Sequence, residues 1–152
     1  MDDSSCLVLV LQAGAQRCAL PIDAVCEVMR PLPISLIEAA PPGVLGTAII
    51  RGSLVPVLDL GAAIGSPTRN ASRFVTLRLE GRLVALVVDT VFGLRDLSSF
   101  FWGSLPPLLG GLERRPVDAL GVLDGELILR LQTARIVSDE VWQTITSSRA
   151  MQ

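Results

Sequence analysis

Three kinds of side chain in this sequence could do chemistry: an arginine set in a turn, two aspartates that close strands, and three cysteines. Arg51 stands beside Gly52 between the apolar runs 44–50 and 54–58. A guanidinium at the tip of a β-hairpin can grip a partner's carboxylate or carbonyl through paired hydrogen bonds. It can equally bridge parts of its own chain, and both readings stand. Asp59 and Asp89 each follow a strong apolar strand directly. Two such carboxylates could share a proton and activate water, or each could accept backbone N–H bonds at a strand end. Cys6, Cys18 and Cys26 are odd in number, and their gaps fit no zinc signature, so they read as small apolar filler. The chain has no His and no Tyr. That removes His-based acid–base catalysis, Ser–His and Cys–His nucleophile pairs, and phosphotransfer through histidine. The glycines match neither the P-loop nor the dinucleotide spacing. No catalytic residue, metal site or cofactor is expected.

The elements that must hold these residues are short strands. A first hairpin runs from Cys6 to Leu20 around 13–16. Pro21-Ile22-Asp23 offers a helix start with Asp23 as N-cap, and Val25, Val28 and Met29 follow at helical spacing until Pro31. Residues 31–43 are proline-rich and read as a loop over a barrel end. Strands at 44–50 and 54–58 flank the Arg51 turn, and a helical turn at 60–64 stops at Gly65. Residues 66–72 are polar and linker-like, which predicts a mobile loop. A second hairpin turns at Glu80-Gly81, a strand follows at 92–95, and 98–107 is loop-like. Asp124-Gly125 between two apolar runs is the strongest hairpin signal. Ser138 followed by Asp139 and Glu140 predicts a C-terminal helix. Phe100, Phe101 and Trp102 form an aromatic cluster, read either as a binding anchor or as a plug closing a barrel. Strands spaced about 8–12 residues apart, with few helices, predict an all-β barrel architecture.

Composition sets the outer limits. The chain of 152 residues suits one domain, or two small lobes sharing a core. Half of it is hydrophobic, enough for a large core with apolar surface left over for partners or self-association. No apolar run approaches the ~18 residues of a membrane span, and the acidic N-terminus lacks a basic leader, so a cytoplasmic protein without membrane insertion is expected. Net charge is −2, and its thirteen cations, all Arg, form no basic stripe; nucleic acid is a poor partner.

Two resemblances bear on function. Asp89-Thr90 is similar to the start of the Asp-Thr-Gly motif of aspartic proteases, but Val91 stands where the glycine would be, and the turn that presents the carboxylate is missing. Four stretches in order resemble the CheW family of chemotaxis coupling proteins. They are 18–28, Gly46 to Leu60 with its Arg-Gly turn, 84–91 with Val87-Val88-Asp89, and 120–129 around Asp124-Gly125. The family's Asn before Leu-Arg-Gly is Ile49 here. The resemblance implies one CheW-like domain over 1–150, built from two packed five-stranded SH3-like β-barrels with a hydrophobic groove between them. It implies a non-catalytic adaptor joining a chemoreceptor's cytoplasmic helical tip to the regulatory domain of a CheA-type histidine kinase, within receptor arrays or rings. By position it assigns Arg51, Gly52, Val25 and Phe74 to receptor binding, and Glu27 and Gly46 to kinase binding. The alternative wiring is a CheW-like protein that binds only a receptor or serves a non-flagellar pathway, such as surface motility or gene regulation.

Overall fold

Where the sequence runs apolar without alternation, the strands are buried on both faces. In the computed structural model, which describes residues 7–98, 100, 102–104 and 115–143, Val84, Leu86 and Val88 pack into a core between two lobes. Their neighbours Ala85 and Val87 point the other way, into a core inside their own lobe. Leu9, Leu11 and Ala13 likewise face the junction, while Val8 and Val10 fill the other lobe.

Lobe one is a five-stranded sheet in the order β10-β11-β2-β1-β9. Its strands are β1 (Leu7–Ala13), β2 (Gln16–Pro21), β9 (Thr90–Asp96), β10 (Val117–Leu123) and β11 (Glu126–Leu131). Lobe two holds β3 (Val25–Met29), β4 (Ser35–Leu36), β5 (Val44–Ile50), β6 (Ser53–Asp59), β7 (Arg73–Leu79) and β8 (Arg82–Val88). Their order is β3-β7-β8-β6-β5-β4, so the two-residue β4 adds a sixth strand to the five expected. Each sheet contains one parallel pair, β11 with β2 and β6 with β8. The chain leaves lobe one after β2 and returns to it at β9.

Three hairpins fall where turn residues placed them. Arg51-Gly52, Glu80-Gly81 and Asp124-Gly125 all have positive φ, the left-handed pairs that a two-residue hairpin requires. The helical turn at Leu60–Ala63 ends at Gly65, with φ 86. Residues 139–143 are helical, and the Ser138 hydroxyl accepts the Val141 N–H at 3.2 Å as an N-cap should.

The segment after Pro21 departs from expectation. Only Ile22–Ala24 forms a helical turn, of the 3₁₀ type and without a side-chain cap, and Val25–Met29 is a strand on β7. The pairing carries a bulge between Val25 and Glu27. Burial along the strand still alternates, with Val25, Glu27 and Met29 turned inward and Val28 exposed, so an apolar residue on the outer face is what makes positions three and four apart imitate a helix. The segments 105–107 and 108–114, and Phe101, lie outside the described residues. Phe100 and Trp102 meet edge to face with centroids 4.6 Å apart, and pack against the lobe-one core as a plug does.

Cys18 lies in the junction core, and burial pushes its thiol up to about 12. A raised thiol pKa in the folded state contributes stability that is complete below the ordinary thiol value and lost as pH climbs through about 12. In native protein, iodoacetamide is expected to modify the exposed Cys26 and to spare Cys18 until denaturant is added, as read by peptide mass mapping.

Candidate functional site

Arg51 occupies the first position of the β5–β6 turn with φ 51, and Gly52 follows with φ 83. From there the side chain reaches back to Glu27 on β3. Its Nη2 donates to Glu27 Oε2 at 2.7 Å and Oε1 at 2.8 Å, and Nε donates to Oε1 at 3.2 Å. In the sheet, β3 and β5 are separated by β7, β8 and β6. The two side chains meet only because the sheet curls and brings its ends together. The Arg51 side chain is 75 % exposed and that of Glu27 35 %, so the pair lies at the surface of lobe two. Hydrogen bonding to Glu27, and then its charge, raises the Arg51 pKa above its already high ordinary value, so the guanidinium is cationic at any working pH.

Glu27 is held from below. Its N–H donates to the Thr76 hydroxyl oxygen at 3.1 Å, and the hydroxyl donates to the Glu27 carbonyl at 3.3 Å. The buried Thr76 therefore stitches the bulge that would otherwise leave backbone groups unpaired. Sequence reasoning passed over Thr76; its only signal was one hydroxyl in the apolar run Phe74-Val75-Thr76-Leu77.

Of the other expected site residues, Val25 is half-buried and lies with Val91 against the junction core. Phe74 is 0 % exposed and packs inside lobe two with Ala48, Ile50, Val55, Val57 and Val87. It shapes the surface from beneath and offers no atom to a partner. Gly46 pairs with Leu36 of β4, and a Cβ there would lie 2.0 Å from the Ser35 carbonyl oxygen. A side chain at 46 must push β4 off the sheet. Gly46→Ala is expected to cost about 1–3 kcal/mol and to strip amide protection from β4 and its partner residues, measured by urea unfolding and hydrogen exchange.

Beside the turn, Ile49 and Leu54 are cross-strand partners that stay 68 % and 42 % exposed. The site thus offers a guanidinium, a carboxylate and an apolar shoulder, a set that suits grasping another protein.

The aspartates do other work. Asp59 accepts the Thr68 hydroxyl at 2.5 Å and the Thr68 N–H at 3.2 Å. Asp89 accepts three backbone N–H groups, from Gly14, Arg69 and Asn70. Each is a structural acceptor at a strand end, and neither carboxylate is paired with the other through a shared proton. Of these donors, Thr68, Arg69 and Asn70 lie in the segment 66–72.

A family model described as the CheW-like domain matches residues 7–141. The chain belongs to the CheW-like family. The solved scaffolding protein TtCheW of Thermoanaerobacter tengcongensis superposes with a TM-score of 0.76 at 21 % identity, covering 90 % of this chain and 95 % of that one. The likeness confirms the all-β fold with two SH3-like barrel lobes. The probable chemotaxis protein CheW of Rhizobium etli is 23 % identical over 135 residues, 87 % of each chain. The chemotaxis protein CheA of Cereibacter sphaeroides is 36 % identical over 98 residues, 59 % of this chain but only 13 % of that far longer protein.

This CheW-like domain also has a pocket of about 190 Å³ at the lobe junction, lined by Pro42, Leu58, Leu60, Ala63, Ile136 and Val141 among others. Arg51, Glu27, Val25 and Phe74 do not border it, so pocket and ion pair are separate features.

Proposed function

We propose that the chain is a non-catalytic adaptor that holds a chemoreceptor's cytoplasmic helical tip and the regulatory domain of a CheA-type histidine kinase in one assembly. The observation that carries the reading is the family match over 7–141, with the exposed Arg51–Glu27 pair and the Ile49–Leu54 shoulder on its surface. Receptor tips are amphipathic helices, and a helix partner calls for apolar contact plus a few polar clamps. Val25 supplies part of an apolar wall, Gly52 lets the turn present Arg51, and Arg51 supplies a clamp. Phe74 supports the wall from inside. Glu27 and Gly46 belong to the kinase-facing side. Because Arg51 and Glu27 are one ion pair, a partner that takes either side chain competes with the other, and the two contacts are linked. Similarity to a stretch of a CheA supports the kinase arm, since related domains can pair pseudo-symmetrically and extend into rings. Single contacts of this size are weak and gain strength when arrayed. None of the described helices is long and apolar enough to cross a membrane, and the proposed place of work is the cytoplasmic side of receptor arrays.

Pull-down with an immobilised receptor cytoplasmic fragment and, separately, with the kinase's regulatory domain is expected to capture the chain on both. Capture by neither defeats the reading. Capture by the receptor alone selects the receptor-only wiring.

A further inference from the structure

We infer that Asp89 is a pin that sets the angle between the two lobes, with one carboxylate oxygen committed to each lobe. Asp89 stands where the chain passes from β8 of lobe two to β9 of lobe one. Its Oδ1 accepts the Gly14 N–H at 2.5 Å, from the β1–β2 turn of lobe one. Its Oδ2 accepts the Arg69 N–H at 3.0 Å and the Asn70 N–H at 2.9 Å, both from the segment that precedes β7 in lobe two. Its own N–H donates to the Gln12 carbonyl at 2.9 Å, and the Ser72 hydroxyl donates to its carbonyl.

A second tie lies alongside. The Ala15 N–H donates to the Ser66 hydroxyl oxygen at 2.7 Å. A Cβ on Gly14 would sit 2.0 Å from the Ser66 carbonyl oxygen, and Gly14 has φ +62, so turn and loop touch backbone to backbone. Thr68 in turn moors the loop to Asp59.

Elsewhere the lobes meet in the apolar junction core around Leu11, Leu20, Val75 and Leu86, and the Arg82 guanidinium of β8 lies 4.9 Å from the centroid of the Trp142 ring. Hydrophobic contact is non-directional; it resists separation more than rotation. Hydrogen bonds are directional, and those to a charged acceptor are the strongest. The carboxylate therefore supplies the orientation that the core does not. Both oxygens face donors, so an amide in its place would turn an NH₂ group towards one lobe's N–H groups and repel them. Val25 of lobe two and Val91 of lobe one both pack at the rim of this junction, so the angle sets how the two walls stand towards a partner. That last consequence rests on the adaptor reading; the pin itself does not.

The test is a distance between lobes. Cys6→Ser, Cys18→Ala and Cys26→Ser clear the native thiols, and Ile49→Cys with Val122→Cys, both exposed, carry spin labels on lobes two and one. Double electron–electron resonance on this background is expected to give one narrow distribution. Adding Asp89→Asn is expected to displace the mean and about double the width. Ser66→Ala, which removes only the Ala15 tie, is expected to broaden it less, and carries the test if Asp89→Asn does not fold. Hydrogen exchange is expected to show amides 14, 69 and 70 losing protection while β7–β8 and β10–β11 keep theirs. An unchanged distribution in the folded variants overturns the proposal, and so does a change accompanied by uniform loss of protection in both sheets. In the parent chain, with Ile49, Val122 and the native cysteines unchanged, Asp89→Asn is expected to weaken receptor-fragment capture with the Arg51–Glu27 pair intact. If the parent chain captures nothing, the adaptor reading fails and the spin-label distances alone decide the pin.

Discussion

Phe74→Ala is expected to remove about 3–5 kcal/mol of folding free energy, the range for deleting a fully buried ring from a packed core. Phe74 is among the largest side chains that lobe two buries completely. Its neighbours Val55 and Val57 sit on β6, and Val87 on the adjoining β8. Backbone ladders fix these strands, so the space cannot simply collapse. Urea unfolding should show the midpoint falling sharply, while the transition slope stays near its parent value. The same variant separates two roles for Phe74. A residue that touched a receptor would lose capture and keep stability. A core residue loses stability first, and capture only through it. An unchanged midpoint with lost capture would return Phe74 to the contact surface.

The second large effect concerns Arg51. Arg51→Ala is expected to leave melting nearly unchanged, because exposed ion pairs contribute little to folding. Capture of the receptor fragment is expected to weaken by roughly 10- to 100-fold, the scale of a hot-spot arginine. The exchanged pair Arg51→Glu with Glu27→Arg distinguishes a gripping cation from an internal bridge. If the guanidinium at the turn grips the partner, the exchanged protein stays as weak as Arg51→Ala. If the bridge itself is what matters, the exchange restores capture. Raised salt should weaken capture by the parent and have less effect on Arg51→Ala, since screening acts on the charge that has been removed.

The sequence was most legible where the physics is local. The turns at Arg51-Gly52, Glu80-Gly81 and Asp124-Gly125 were placed by their glycines, and by Asp124, which tolerate left-handed backbone; Arg51 and Glu80 adopt it beside them. The strands on either side were placed by runs of Val, Leu and Ile. The helix start at Ser138 was placed by its own hydroxyl. The misreading at Val25–Met29 came from an apolar Val28 on the exposed face of the strand, and the strand itself is set by pairing with β7, where Thr76, 49 residues away, bonds Glu27. Arg51 was named from its place in the turn, Val25, Glu27, Gly46 and Phe74 from resemblance, and the structure sorts them by depth. Arg51 and Glu27 stand at the surface, Val25 and Gly46 are part of the fabric, and Phe74 is core.

From residue order alone came the all-β class, the hairpins, the absence of histidine chemistry and the Arg-Gly turn. These depend on interactions among residues a few positions apart, or on composition, and need no knowledge of how the sheets close. Tertiary structure decided the rest. Glu27 and Arg51, 24 residues apart, meet because lobe two curls. Asp89 and Gly14, 75 residues apart, meet because the chain returns to lobe one. Closing two sheets onto a shared core fixes which distant polar groups come within hydrogen-bond reach, and no local pattern encodes that distance.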